Sequence, residues 1–525
     1  MKKYISTIFI LLTIAGSSCK KGYLNLTDNP NVPSVASPNL LLSGALKTTA
    51  DIVNGPDYAM YTCWVGYMSW STGFQANLQL EEYQFTTSNY QSVWQDNYLN
   101  VSNYNALLGS TTEPNYQAIA NIMMAYEFEA LVDNYNNVPY TEALQGSKNL
   151  NPKYDTGQSI YLALMKQLDA AISMIQKAPA SAANPQTADV MFGGVMQNWI
   201  LFANTLKLRL ALRESTSSAT SGDYATLSAA VKATASLGYL TDAIPATVNP
   251  GYANIDADGG QQTPLERNWG VTQTGGAETD KSEYQANSYM AKFFGDNNDP
   301  RLVEVYSGST TTDAATATGV QVGGLVTVQG GVPIVSTTFG YNLPPFGTID
   351  GTPGAIIPSL VGPGVLQSPV QSAVIMSSAE ALFLQAEGAA KGLIPGGAAA
   401  AATFYNAGIA SSFEADAVPD ADNAAATYAA QPAIAFPTAG ALEAQVKAII
   451  TQKWAALAIY GSLEAFNENR RTGYPAVPTS IFPSANAPNQ VARIFYPFLE
   501  YETNATNVAA EGSIDKFSSK IFWAK

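Results

Sequence analysis

The chain of 525 residues carries a formal charge of −15, with 46% hydrophobic and only 13% charged residues. This length and hydrophobic content allow a large buried core, so a folded globular protein is expected. The acidic balance repels phosphate backbones and argues against nucleic acid as a partner. The complete absence of histidine excludes Ser-His, Cys-His and His-metal mechanisms. Of the two cysteines, Cys63 lies among apolar residues and is expected to be buried.

The amino-terminal residues have the pattern of an export signal. Two lysines precede an apolar stretch over 4–15, which is shorter than the about 20 residues that a membrane span needs. Small residues then lead into Cys19, in a pattern that resembles a bacterial lipobox. The sequence therefore predicts a signal peptide over 1–18, a lipid on Cys19 as the membrane anchor, and a polar tether over 19–38.

Helical periodicity dominates the first half of the remaining chain. Apolar residues recur at helical spacing over 40–53, 119–132 and 160–175, which predicts a helix in each segment. Asp155 or Thr156 is available to cap the third helix. Residues 199–213 carry apolar side chains on two nearly opposite helical faces, so this helix must pack against neighbours on both sides. Such a helix is typical of stacked helical hairpins.

The composition changes between about 215 and 376, where Gly, Thr, Ser, Asp and Pro increase. Short helices are predicted near 223–236 and 283–295. Apolar segments at 320–322 and 325–328 flank Gly323-Gly324, and Gly330-Gly331 follows, which predicts a small β-hairpin with glycine turns. We interpret this region as loop-rich, and its loops as candidates for ligand contacts.

Helices return at residue 377. Ser377 and Glu380 have the spacing of a capping box ahead of a helix over 381–391, and Gly392 is suited to end that helix. Paired helices on both sides of a loop-rich middle predict a mainly α, helical-repeat fold, although no clear sequence period is visible.

The last predicted helices cover about 400–411 and about 442–467. Arg470 and Arg471 follow the second of these helices. Positive charge is favourable at the carboxyl end of a helix, so we prefer a structural role for both arginines over anion binding.

Several segments taken together resemble one family. They are DNPN (28–31), DNYNNVPYTEAL (133–144), NWILFANTLKLRLALR (198–213), DPR (299–301), SSAEALFLQAEGAAKG (377–392), YNAGI (405–409) and QKWAALAIYGSLEAFNENRRTGYP (452–475). Each segment is loose alone, but the ordered set resembles the SusD/RagB family of surface nutrient-binding lipoproteins, and specifically its SusD-like subgroup.

The resemblance implies a single domain over 39–525 with a tetratricopeptide-like scaffold of helical pairs. The scaffold would comprise 39–214 and 377–475, a loop-rich, ligand-binding middle with short β-hairpins would cover 215–376, and a C-terminal segment 476–525 would follow. The implied function is binding of nutrient oligosaccharides without catalysis, at the cell exterior, on a lipid-anchored protein of the outer membrane. The implied partner is a SusC-like TonB-dependent outer-membrane barrel. Two alternatives stay open: a peptide-binding lid of a similar importer, and a helical-repeat scaffold without a small ligand.

Candidate ligand residues follow from the chemistry of sugars, which need an aromatic face together with amide or charged side chains. Aromatic residues in polar loops are therefore the candidates, although core packing is an alternative for each. The predicted ligand-binding residues are Trp70, Phe74, Arg267, Asn268, Trp269, Tyr341 and Phe346. By contrast, Trp94, Tyr98, Trp199 and Trp454 lie in helical patterns and are expected in the core.

No cofactor, metal or catalytic group is expected. Residues 254–259 imitate the start of a calcium loop, but its twelfth position is Leu265, where a bidentate Glu is needed. Glycoside hydrolysis uses two facing carboxyl groups, and no acid of this sequence stands in a recognisable catalytic context.

Overall fold

The computed structural model describes residues 36–70, 75, 77–216, 221–256, 260–276, 278, 283–307, 360–480, 487 and 489–525, together with the backbone of short strands between 327 and 358. The predicted signal peptide, Cys19 and nearly all of the tether lie outside the described residues.

The described residues are mainly helical, which confirms the predicted fold class. The α-helices are α1 Pro38–Val53, α2 Ala59–Trp64, α3 Leu78–Glu81, α4 Gln91–Ser110, α5 Pro114–Tyr135, α6 Gly157–Lys177, α7 Met196–Glu214, α8 Ser221–Thr234, α9 Pro264–Trp269, α10 Ser288–Asp296, α11 Leu302–Val305, α12 Ser378–Ala390, α13 Gly397–Ala415, α14 Ala421–Ala429, α15 Leu442–Ala456, α16 Ser462–Thr472, α17 Phe498–Thr503 and α18 Ala505–Ala510. The strands are β1 Met68–Trp70, β2 Ala246–Val248, β3 Tyr284–Ala286, β4 Tyr306–Ser307, β5 Thr327–Gln329, β6 Val332–Ile334, β7 Gly347–Thr348, β8 Ile357–Pro358, β9 Leu360–Val361 and β10 Ala373–Met376.

Local capping residues set the predicted helix starts. The Thr156 hydroxyl accepts a hydrogen bond from the Ser159 N–H at the start of α6 (3.3 Å), and Ser377 accepts one from the Glu380 N–H at the start of α12 (3.1 Å). The reciprocal half of the capping box is absent, because the Glu380 carboxylate accepts from Arg209 of α7 instead (3.0 Å). An ion pair between distant helices therefore replaces the local bond at that position.

Helices that follow one another in the chain pack as neighbours, as in a helical-repeat scaffold. The pairs α4–α5, α5–α6, α7–α8 and α12–α13 all make extensive contacts. Helix α7 packs against α6 and α8 and also against α12 from the second half of the chain. Trp199, Leu206, Leu208 and Leu212, from both of its apolar faces, are buried. The prediction of a helix packed on both sides is confirmed.

The long helix predicted over 442–467 is wrong, because two helices, α15 and α16, occupy this segment. The helix is interrupted over residues 457–461, where Ile459 has a left-handed φ of 69° that is costly for a β-branched residue. The break brings Glu464 of α16 within 2.6 Å of the Lys453 ammonium of α15. In a straight helix these residues would stand about 16 Å apart along the axis, so the buried ion pair requires the break.

Buried ion pairs join α5, α7, α12, α15 and α16. Arg209 of α7 pairs with Glu129 of α5 (2.6 Å) and with Glu380 of α12 (3.0 Å). The same set of helices is joined by the pairs Arg213–Asp133, Arg213–Glu464, Arg213–Glu468, Lys453–Glu464, Lys453–Glu468, Arg471–Glu387 and Arg471–Glu468. We call these residues the ion network. It crosses from the first half of the scaffold to the second.

Arg470 and Arg471 are both buried, as a structural role requires. Arg471 belongs to the ion network, whereas Arg470 donates to the main-chain oxygens of Asp133 (2.7 Å) and Ala492 (2.8 Å). Among the residues predicted for the core, Trp94, Trp199, Trp454 and Cys63 are buried, and Tyr98 is partly buried.

The middle region contains short helices and two-stranded antiparallel sheets, which pair β2 with β10, β4 with β9, β5 with β6 and β7 with β8, while its strand β3 pairs with β1 from the first half of the chain. Strands β5 and β6 pair on either side of Gly330-Gly331, which is one of the two glycine pairs where the sequence predicted a turn. Residues 320–326 lie outside the described residues. None of the described helices combines the length and the apolar character that crossing a membrane requires.

Candidate functional site

Helix α9 carries three of the predicted ligand residues and lies against the carboxyl end of α1. The local sequence explains this short helix, because Pro264 occupies its first turn and Gly270 follows its last residue. The guanidinium of Arg267 lies 2.7 Å from the Asp51 carboxylate of α1. The Asn268 amide donates to the main-chain oxygen of Asn54 (2.7 Å). Both side chains are therefore held in place by α1.

A cleft of about 270 Å³ opens where α1, α4, α9 and the 3₁₀ turn Pro56–Tyr58 meet. Hydroxyl, carboxyl, amide and guanidinium groups alternate with apolar side chains around it. The lining residues are Thr48, Asp51, Ile52, Gly55, Pro56, Asp57, Tyr58, Ser92, Val93, Asp96, Leu99, Pro264, Arg267 and Asn268. We call this cavity the α1–α9 cleft. Concave sites where polar groups converge beside apolar side chains are the usual form of small-ligand sites, and this cleft is at their polar end.

The charges of the α1–α9 cleft are unevenly distributed. Asp51 pairs with Lys47 and with Arg267, so its charge is compensated. Asp57 and Asp96 lie on the same cavity, and loss of solvent together with the charge of Asp57 raises the pKa of Asp96 above its ordinary value. The cleft thus offers both hydrogen-bond donors, on α9, and carboxylate acceptors, on α4 and the turn after α1.

Three aromatic rings, one of them from α9 itself, pack in a row. Trp70 of β1 pairs in register with Tyr284 of β3, and their rings meet edge to face with centroids 5.2 Å apart. The Tyr284 ring also lies edge to face with Trp269, at 5.0 Å. The indole N–H of Trp70 donates to the main-chain oxygen of Gln75 (2.9 Å), and its ring is partly exposed. The two predicted tryptophans are therefore linked through one tyrosine.

The prediction of a ligand-facing ring at Trp269 is corrected by its burial, because only 5% of this residue is exposed. Successive residues of a helix point about 100° apart, so a helix that directs Arg267 and Asn268 toward the cleft turns the next side chain into the core. Trp269 belongs to the main hydrophobic cluster and packs α9 against the core.

The structure thus brings Arg267 and Asn268 into one cleft, whereas Trp70 is not among its lining residues. Phe74, Tyr341 and Phe346 lie outside the described residues. Asp57 and Asp96 were not predicted from the sequence, because acids in or beside helices usually face solvent. The available signal was Gly55-Pro56, which ends α1 and turns the chain toward the cleft.

A scaffold of paired helices that carries a polar cleft beside loop-rich segments is typical of helical-repeat binding proteins. The chain belongs to the SusD-like family, since a family model described as starch-binding and associating with the outer membrane matches residues 30–497. No curated protein matches the chain.

Solved structures share the fold. A putative outer membrane and nutrient-binding protein from Bacteroides vulgatus has a TM-score of 0.71 and 21% identity, covering 93% of this chain and 100% of its own. A chitin-binding SusD homologue from Flavobacterium johnsoniae has a TM-score of 0.69 and 22% identity, with 92% and 98% covered. A SusD homologue from Bacteroides fragilis has a TM-score of 0.67 and 21% identity, with 93% and 100% covered.

Proposed function

We propose that this protein binds nutrient oligosaccharides at the cell surface and delivers them, without catalysis, to a SusC-like TonB-dependent outer-membrane transporter. The observation that carries the proposal is the α1–α9 cleft. Its guanidinium, amide, hydroxyl and carboxylate groups can bind sugar hydroxyls as donors and as acceptors. Its apolar side chains offer contact to the C–H faces of a sugar ring.

The family supports the ligand class. The family is described as starch-binding, and one solved relative is a chitin-binding protein. Both polymers consist of uncharged pyranose units, so neutral oligosaccharides are the first ligands to test. The description also places the family at the outer membrane, which agrees with a lipid on Cys19 and with a barrel as partner.

The ligand proposal is tested by isothermal titration of the full-length protein with maltohexaose and chitohexaose. The double variant Arg267→Met, Asn268→Ala removes both donors of α9, and affinity is expected to fall at least tenfold, since hydrogen bonds to charged groups are the stronger ones. Lys292→Met is the matched control, because it breaks an exposed ion pair with Asp296 on α10, away from the cleft. Chromatography of the recovered glycan is expected to show it unchanged.

If the protein binds neither these two hexasaccharides nor any glycan of a wider set, oligosaccharides are not its ligands. Glycan binding that the double variant leaves intact would move the site away from the α1–α9 cleft. The partner is tested separately, by pulling down the full-length protein from membranes and identifying the proteins retained. Repeated recovery without any barrel would contradict delivery to a transporter.

A peptide ligand is the second candidate, and one observation favours it. Among the described residues, no tryptophan lines the α1–α9 cleft, whereas an arginine, an amide and three aspartates do. Such groups suit the charged ends and the amides of a short peptide. Titration with mixed tripeptides and tetrapeptides separates the two candidates, because peptide binding together with glycan silence would favour a peptide importer.

A further inference from the structure

A second cavity lies between helix α14 and residues 297–300, which include the start of the DPR segment. Its volume is about 550 Å³, and it shares no lining residue with the α1–α9 cleft. We call it the α14 groove. Its walls are formed by Asn298 and Pro300 on one side and by Pro419, Asn423, Thr427 and Gln431 on the other.

Neutral polar groups dominate the α14 groove. Amides come from Asn298, Asn423 and Gln431, and a hydroxyl comes from Thr427. The one carboxylate in the lining, Asp420, accepts hydrogen bonds from the Asn423 amide at 2.8 and 2.9 Å. No lysine or arginine stands among the described lining residues. Amides and hydroxyls both donate and accept hydrogen bonds, which suits the hydroxyl groups of an uncharged ligand better than an anion.

The two prolines give the α14 groove its apolar surface. Pro300 and Pro419 stand on opposite walls, and the ring of Tyr428 also contributes to the lining. Tyr428 itself is buried, with its hydroxyl bonded to Gln452. The proline rings can pack against the C–H face of a sugar ring, and the amides can bind its hydroxyl groups.

One buried arginine fixes both walls. Arg301 donates to Asp299 through two nitrogens (3.0 and 2.6 Å) and to the Ser412 hydroxyl of α13 (2.7 Å). Its guanidinium also lies over the rings of Phe413 (4.9 Å) and Tyr428 (5.7 Å). Residues 297–300, the end of α13 and helix α14 are therefore tied to a single fully buried group. A site held in its binding shape loses less entropy when a ligand arrives.

Left-handed backbone occurs at two lining residues of the groove, Asn298 and Asp420, and at Ala417, two residues before the lining residue Pro419. Asn298, Ala417 and Asp420 all have left-handed φ values, of 48°, 54° and 52°. Asn and Asp tolerate this region, but Ala seldom adopts it. Hydrogen bonds from the Ala417 and Val418 N–H groups to Glu414 and Phe413 (3.0 and 2.9 Å) hold the turn. Strained backbone of this kind gathers at ligand sites, where the surrounding structure maintains it.

We propose that the α14 groove is a second ligand site, which takes a short stretch of an uncharged, hydroxyl-rich oligosaccharide. This inference rests on the proposed function, because both cavities then bind parts of the same class of glycan. The two sites are lined by different elements, so each can be removed without touching the other.

Titration of the full-length protein with maltohexaose and chitohexaose tests the inference through stoichiometry. The wild type is expected to bind close to two molecules of the preferred hexasaccharide per chain, and the double variant Asn423→Ala, Gln431→Ala close to one. Thr427→Trp is a second route to the same result, because Thr427 is exposed on α14 and a large side chain there fills the groove. Asn105→Ala removes an exposed amide of α4 outside both cavities and is expected to leave both sites intact.

A stoichiometry of one that neither groove variant changes, while the Arg267→Met, Asn268→Ala variant abolishes binding, would overturn the second site and leave the proposed function standing. Binding of mixed tetrapeptides that Thr427→Trp abolishes, without glycan binding there, would overturn its ligand class. If the wild type binds neither hexasaccharide and no glycan of the wider set, this inference and the proposed function are both overturned.

Discussion

Some carboxyl groups of this protein are buried with hydroxyl or amide partners in place of a cation. Glu127 of α5 is fully buried and accepts hydrogen bonds from the Thr49 hydroxyl (2.6 Å) and the Asn100 amide (2.8 Å). Loss of solvent raises the pKa of Glu127 from its ordinary 4.5 to about 7. Burial likewise raises the pKa of Glu81 to about 7 and that of Asp416 to about 7.

The raised pKa of Glu127 predicts a pH-dependent stability. The folded chain holds the proton more tightly than the unfolded chain does, so the stabilisation from this group is full below about pH 4.5. It is lost as the pH rises toward about 7. In Glu127→Gln the amide imitates the protonated acid and does not ionise. The free energy of unfolding of the variant minus that of the wild type is therefore expected to be about 2 to 3 kcal/mol larger at pH 8 than at pH 5. Urea unfolding at both pH values measures the difference.

Glu502→Gln is the control for this experiment, since Glu502 is exposed on α17. The same difference from wild type at pH 5 and pH 8 for Glu127→Gln would show that Glu127 ionises in the folded state as it does in water.

At the scale of elements, the packing of helix pairs depends on small residues at close approaches. Gly408 of α13 faces the ring of Phe383 on α12, and a Cβ at this position would lie 2.9 Å from that ring. Gly44 of α1 is also inside a helix, but a Cβ there meets nothing within 4 Å. The two glycines therefore separate helix propensity from helix packing.

Gly408→Ala is expected to destabilise the protein by about 1 to 2 kcal/mol, because overpacking against Phe383 outweighs the better helix propensity of alanine. Gly44→Ala is expected to stabilise it by about 0.5 to 1 kcal/mol, since only the propensity changes. Chemical denaturation of both variants measures the two free energies of unfolding. Equal signs for the two variants would contradict the close approach of α12 and α13.

The ion network also determines how the helices are held together. Arg213 of α7 is 1% exposed at its side chain and faces Glu464 and Glu468 of α16. Arg213→Met leaves these carboxylates with fewer partners in the interior, and a cost of about 3 to 5 kcal/mol in the free energy of unfolding is expected.

Lys292→Met is the matched control for Arg213→Met. It breaks an ion pair whose side chains are 64% and 60% exposed, and a change of about 0.5 kcal/mol or less is expected. A cost for Arg213→Met as small as that of this control would show that the network does not hold α7 and α16 together.

For the whole molecule, the ion network explains why the family segments are scaffold segments. Arg209 and Arg213 come from 198–213, Glu380 and Glu387 from 377–392, and the remaining partners on α15 and α16 from 452–475. Segments far apart in the chain therefore meet in one buried cluster. Their residues are needed for the fold, and the α1–α9 cleft lies elsewhere.

The proposed surface location rests on the lipid, and Cys19→Ser tests it. Without the thiol no thioether-linked lipid can form, so the protein is expected to leave the membrane fraction for the soluble fraction. Fractionation of cells followed by immunoblotting measures this. Protease treatment of intact cells carrying the wild type is expected to degrade the protein, and complete protection would contradict an outward-facing location.

The sequence by itself determined the helical class, several helix starts and the two-sided burial of α7. Periodicity and capping are local properties, so Thr156 and Ser377 acted as predicted. It also indicated Arg267 and Asn268, because charged and amide residues in a loop-rich segment next to an aromatic suggest a binding surface.

Only the tertiary structure decided which helices meet, and that choice overrode local pattern where the two competed. The segment 442–467 forms two helices, and the ion pair between Lys453 and Glu464 requires the bend between them. Trp269 is buried because its neighbours on α9 are held by α1. Asp57 and Asp96 share a cleft because two separate helical segments converge there. Contacts between residues far apart in sequence leave no local sequence pattern, so only the tertiary structure shows them.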